Sequence, residues 1–184
     1  MAPKHRQLLR KWLREDARVA WEQEELREAF APLYAAFLAR TPVAPAYRHD
    51  AGSIALLADT PGAFFVGARD AAGALEAITL FGHAAGRGDS LLNAATVAGR
   101  RHSRGLYWLG ALRLRELGVR ELNLGGGIDA GDGLGEFKRR LGAAPRPSRV
   151  LRQVFDRAGF DAACARAGVP PDDAYFPPWR RPSA

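Results

Sequence analysis

Between Gly118 and Gly142 the chain reads GVRELNLGGGIDAGDGLGEFKRRLG, and no other stretch limits the possible folds as strongly. Glu121 to Leu124 alternates as a short strand with Leu122 and Leu124 on one face. The three glycines after it remove every side chain beside the strand's end, so backbone or ligand can approach closely there. Gly131, Gly133 and Gly135 keep the chain open until Glu136 to Leu141 resumes as a helical turn carrying Lys138, which Gly142 stops. Strand, open loop and basic helical turn follow one another in a single run.

Two familiar glycine motifs fail here. Gly125, Gly127 and Ala130 fit a loose dinucleotide fingerprint, but the acidic ribose-binding residue due about 20 positions later is replaced by RPSRVLR. A P-loop needs Ser or Thr after its lysine and glycine before it, and Lys138 has neither. A flexible surface turn remains the plain alternative.

The rest of the chain supplies a mixed scaffold. Residues 4 to 15 place Leu8, Leu9, Trp12 and Leu13 in one stripe of a basic amphipathic helix. Residues 17 to 23 continue that helix or form a first short strand. Leu26, Phe30, Leu33, Tyr34, Phe37 and Leu38 recur at helical spacing over 24 to 39, with Pro32 as a point where the helix is expected to break or kink. After a proline-rich loop, Asp50 caps a short helix through Ser53 to Ala58. Runs at 63 to 69, 74 to 83 and 90 to 97 read as an antiparallel meander, with turns at Asp70 to Gly73 and Gly86 to Asp89. Weak polar alternation implies a sheet covered on both faces, which makes Glu76 and His83 notable polar positions. A strand is expected within 148 to 155, a helix from Asp156 to Gly168 with Phe160, Ala163 and Cys164 inward, and an irregular proline-rich tail over 170 to 184 stapled by Tyr175, Phe176 and Trp179. Cys164 reads as a small core residue.

AGRRHSRG, residues 98 to 105, leads into a helix with Leu106, Leu109 and Leu112 on one face. A helix N-terminus offers unpaired N–H groups and a positive dipole, and Arg100, Arg101 and Arg104 add full charges, so this turn is a phosphate-binding candidate. An exposed basic loop is the plain alternative. The formal charge of +7 also favours anionic partners such as RNA or phosphorylated ligands. With 184 residues the chain makes one domain over 1 to 184, large enough for a core without disulfides or metal. One cysteine excludes a disulfide framework, and the spacings show no metal constellation and no Ser-His-Asp arrangement. The sequence has no run of about 20 apolar residues and no signal-peptide core, so no membrane association and a cytoplasmic location are expected.

LNLGGG followed by GLGEFKRRLGA resembles the GNAT superfamily, specifically its Fem-type branch of peptidoglycan-bridge and related aminoacyltransferases. The likeness is closest over 90 to 150 and looser from about residue 17. It implies an α/β sheet, mostly antiparallel, with one parallel strand-helix-strand step and a splay between the fourth and fifth strands where an acyl donor pairs with exposed backbone. It implies N-acyl transfer from aminoacyl-tRNA, with tRNA as partner, to an amine of a small molecule or peptide. Transfer from acyl-CoA is the alternative, and a non-catalytic module binding RNA or protein is a third. In each case no cofactor is permanently bound. On this likeness Lys138, Phe137 and Asp129 are the catalytic candidates. Arg100, Arg101, Ser103, Arg104, Asn123, Gly125 and Gly126 would hold the donor, and Tyr47 and Arg48 would border the acceptor. Ser103 stands where the family's Gln/Arg-x-x-Gly-x-Gly/Ala loop has its first glycine if Arg100 starts it, which favours tRNA phosphates over CoA. Fem-type enzymes carry two such domains against one here, so a homodimer or an inert module also fits.

Overall fold

A computed structural model describes residues 3–15, 18–41, 43, 48–125, 133–147 and 151–181. Contacts divide the chain into two compact units, Met1–Pro145 and Arg146–Ala184.

The first unit is built on the expected meander. Its elements are α1 (Pro3–Glu15), β1 (Arg18–Ala20), α2 (Gln23–Leu38), α3 (Ala51–Asp59), β2 (Phe64–Arg69), β3 (Leu75–Ala84), β4 (Arg87–Ala95), α4 (Ser103–Glu116), β5 (Glu121–Asn123) and α5 (Gly133–Leu141). The five strands lie in the order β1-β2-β3-β4-β5, antiparallel except for β4 and β5. Phe65, Ile78, Leu80 and Ala94 meet Leu26, Phe30 and Tyr34 of α2 and Ile54 of α3 on one face. Val66, Ala68, Ala77, Phe81 and Ala95 meet Leu9 and Trp12 of α1 and Leu106 and Leu114 of α4 on the other. With helices on both faces, the strands have little reason to alternate polar residues.

Local chemistry explains most boundaries. Asp50 accepts from the Ser53 N–H at 2.7 Å and starts α3. Between β3 and β4 the turn sits at Ala85 and Gly86, not at Gly86 to Asp89. Both have positive φ, 49° and 76°, which is the twist-matched hairpin turn, so Arg87 to Asp89 are free to pair as strand. Nor does Pro32 interrupt α2. It costs about 3 kcal/mol inside a helix, whereas burying Leu26, Phe30 and Tyr34 on the sheet gains roughly 1.5–3 kcal/mol for each large apolar side chain. Tertiary burial wins, with the exposed Pro32 on the outer side.

In the second unit α6 (Arg157–Ala167) is capped by Asp156, which accepts from the Gly159 N–H at 3.0 Å. Phe160 stacks on Phe176 and meets Trp179 edge-on, so these two of the three tail aromatics pack on α6, while Tyr175 is exposed. The expected strand is a correction: residues 151–155 form none, and 148–150 lie outside the described residues. Leu151 and Phe155 are 85% and 90% exposed, so the apolar pattern that suggested a strand has no neighbour to bury it. Among the described residues no helix is long and apolar enough to cross a membrane.

Candidate functional site

β4 and β5 run side by side for only three pairs, Arg87 with Glu121, Gly88 with Leu122 and Asp89 with Asn123. The parallel step follows from the crossover through α4. Beyond Asp89 the strands part: β4 continues to Ala95, while the chain after Asn123 turns at Gly125, whose φ is +71°. The β3 register skips Leu91, passing from Leu92 opposite Leu80 to Ser90 opposite Phe81. Such a bulge bends and twists a strand, here just past the point where β5 is lost. From Ser90 onward β4 has no strand beside it on this edge among the described residues. At about 3.3 Å per residue the open edge and the step from Asp89 reach roughly 20 Å.

Side chains from four elements, β4, β5, α4 and α5, close the fork. Asn123 Nδ2 donates to Asp89 Oδ1 at 2.8 Å, and Asn123 Oδ1 accepts from the Gly125 N–H at 2.9 Å. Lys138 is 8% exposed and its Nζ donates to the Gly125 carbonyl at 3.0 Å, tying α5 to the turn after β5. Phe137, beside it, meets the ring of Tyr107 edge-on with centroids 5.7 Å apart. Tyr107 projects from α4, faces Ser90 next to the bulge and also packs on Phe81. Burial raises the pKa of its phenol above the ordinary value, with the neighbouring Ser90 hydroxyl partly opposing that rise, so the hydroxyl keeps its proton at neutral pH.

The arginines stand at the opposite end of β4. Residues Ala98–His102 wind as a 3-10 helix that runs directly into α4. The Gly99 N–H is capped by Thr96 Oγ1 at 2.9 Å and the Ser103 N–H bonds to the Arg100 carbonyl. The expected open loop with unpaired N–H groups is therefore tighter than the sequence suggested, because consecutive i to i+3 bonds consume donors. Arg101 pairs with Glu76 at 3.0 Å. Arg100 is exposed, Ser103 and Arg104 are half-buried, and His102, which the sequence reading passed over, is fully buried.

The structure thus gathers Asn123, Gly125, Phe137 and Lys138 at the fork and Arg100, Arg101, Ser103 and Arg104 at the far end of β4. Arg48, exposed and bonded to the Val43 carbonyl, belongs to the α2 and α3 layer across the sheet. Tyr47, Gly126 and Asp129 lie outside the described residues. Ser90 and Tyr107 were missed because one sits in an ordinary strand run and the other in an apolar helix, with nothing local to distinguish them.

Solved structures share this fold. A ribosomal-protein-alanine N-acetyltransferase from Brucella melitensis biovar Abortus 2308 superposes with TM-score 0.54 and 22% identity over 73% of this chain and 98% of that one. An aminoglycoside 6'-N-acetyltransferase from Acinetobacter baumannii gives TM-score 0.56 at 10% identity over 75% and 97%. An aminoglycoside acetyltransferase from an uncultured soil metagenome, in complex with trehalose, gives 0.56 at 12% identity over 74% and 95%. The fold is that of the GNAT N-acetyltransferases. No family model matches the sequence, and no curated protein is significantly similar to it. The mixed sheet that the GNAT likeness implied is therefore present. The Fem-type branch is not represented among these three structures.

Proposed function

We propose that this protein is an acyl-CoA-dependent N-acyltransferase acting on an amine of a small molecule or peptide. The observation that carries the reading is the parted edge of β4, which starts at the Ser90 bulge and leads to the 98–102 turn with Arg100 and the start of α4 with Arg104. A long donor with amides in its arm and phosphates at one end matches an edge with backbone partners along it and cations at its end. Acyl transfer needs no covalent enzyme intermediate. The amine nitrogen attacks the thioester carbon, the carbon–sulfur bond breaks, the nitrogen loses a proton to solvent or base, and the leaving thiolate regains one. Tyr107, held proton-bearing by burial beside Ser90, is the proposed source of that last proton. Lys138, which the family likeness suggested for charge stabilisation, is assigned here to holding the turn at Gly125, and Phe137 to backing Tyr107.

A second donor, aminoacyl-tRNA, is favoured by the Ser103 substitution in the turn, by the tighter winding around it and by the likeness of LNLGGG and EFKRRLGA to Fem-type enzymes. One experiment separates the two: acetyl-CoA, longer acyl-CoAs and a pool of charged tRNA are each incubated with an amine panel while free thiol and deacylated tRNA are measured. Thiol release that needs an amine is expected. Arg100→Ala should weaken acyl-CoA binding roughly tenfold, about one charge-assisted hydrogen bond, and flatten its salt dependence. Consumption of charged tRNA alone would give the second reading precedence, and inertness toward both would end the enzymatic assignment.

A further inference from the structure

Trp12 of α1 lies against the start of α4, 90 positions away in sequence, so closely that a Cβ on Gly105 would fall 2.2 Å from the indole ring. Its Nε1–H donates to His102 Nδ1 at 2.8 Å. Indole nitrogen is a donor only, so Nδ1 must present its lone pair and the ring proton must sit on Nε2. Nε2 is 3.1 Å from Glu76 Oε2, to which Arg101 Nη2 also donates at 3.0 Å. Arg101 Nε–H also approaches Nε2, at 3.1 Å, but a protonated Nε2 cannot accept, so Arg101 is held by its Nη2 bond to the Glu76 carboxylate, which also accepts from Nε2–H. The chain is sheltered: His102 is 0% and the Glu76 side chain 12% exposed, against 53% for Arg101. The Glu76 backbone holds the same turn, since its carbonyl accepts from Thr96 at 2.8 Å and a Cβ on Gly99 would meet that oxygen at 2.0 Å.

We infer that Trp12, His102 and Glu76 are positioning residues that set the 98–102 turn for the donor's phosphates, with Arg101 as their anchor and Arg100 and Arg104 as the phosphate contacts. Glu76 cancels the charge of Arg101 and turns its guanidinium toward the protein. The cations left at the turn are Arg100 and Arg104, neither of which has a hydrogen-bond or ion-pair partner among the described residues. Trp12 fixes which imidazole nitrogen carries the proton, and without it the ring could turn Nε2–H away and release Glu76 and Arg101 together.

This inference rests on reading the turn as the donor's phosphate site, so the test begins with acetyl-CoA affinity of the wild-type protein by calorimetry. Trp12→Phe keeps a ring beside Gly105 and deletes the N–H, while Glu76→Gln removes the charge that holds Arg101. Each should raise Kd and KM for acetyl-CoA about tenfold with kcat within twofold, measured where circular dichroism shows the variant folded. His102→Gln can accept from Trp12 and donate to Glu76, so it should recover most of the affinity that His102→Leu loses. Should Trp12→Phe not fold, Glu76→Gln and the His102 pair decide. Wild-type Kd in the folded variants, with only the melting temperature lowered, would overturn the positioning role and leave the proposed function standing. Failure of the wild type to bind acetyl-CoA would overturn both.

Discussion

Lys138 carries a charge into the packing face of α5, and its bond to the Gly125 carbonyl is what the burial obtains in return. A buried ammonium is costly unless it is hydrogen-bonded, so the bond and the burial are read together. Lys138→Ala removes the bond and leaves a void, and should lower unfolding free energy by about 2–3 kcal/mol in urea titration. Lys138→Met refills most of the volume without a charge and should lose less than about 1.5 kcal/mol. An alanine variant within about 0.5 kcal/mol of wild type would contradict this account. The FKRR pattern suggests phenyl inward and ammonium outward, whereas here Phe137 is half-buried against Tyr107 and Lys138 is buried as well. Adjacent helical residues point about 100° apart, and which of them faces inward depends on where α5 docks. That docking comes from Tyr107 and the turn at Gly125, neither of which the local sequence reveals.

At the level of elements, α4 sits close to the sheet because it carries glycine where a larger residue would collide. A Cβ on Gly110 would come 2.2 Å from the Phe81 ring, which is fully buried and stacked on Phe64. Replacing glycine by alanine ordinarily favours a helix by about 1 kcal/mol, but overpacking a rigid core costs about 1–3 kcal/mol. The ring has nowhere to move, so the second effect should win. Gly110→Ala is expected to lower the melting temperature by roughly 2–6 °C, whereas Gly133→Ala at the start of α5, with nothing within 4 Å, should leave it unchanged or raise it. Equal behaviour of the two variants in calorimetry would show that α4 shifts freely. The fork depends on the same seating, since α4 delivers both the arginine turn and β5 to their places.

For the whole molecule, the two compact units predict separable stability. Phe160→Ala removes the ring on which Phe176 and Trp179 pack and should cost about 3–5 kcal/mol within residues 157 to 181. Amide exchange should quicken there and stay slow in β2, β3 and β4, and equal acceleration in both regions would show one cooperative unit. By itself the sequence determined the helices read over 4 to 15 and 24 to 39 and observed at 3–15 and 23–38, the meander, the parallel β4-α4-β5 step and the turn chemistry of Asp50 and Asp70. Those follow from backbone periods and from caps that act within a few residues. Only the tertiary structure decided that Pro32 would be tolerated, that residues 151–155 would pair with no strand and that Lys138 would turn inward. It alone joined Trp12 to His102 and set the splay of β4 from β5, which the GNAT likeness implied, at three residue pairs. Each of these outcomes is a balance between a local preference and the burial or pairing offered by residues distant in the chain, and that offer exists only once the sheet and its two helical layers have formed.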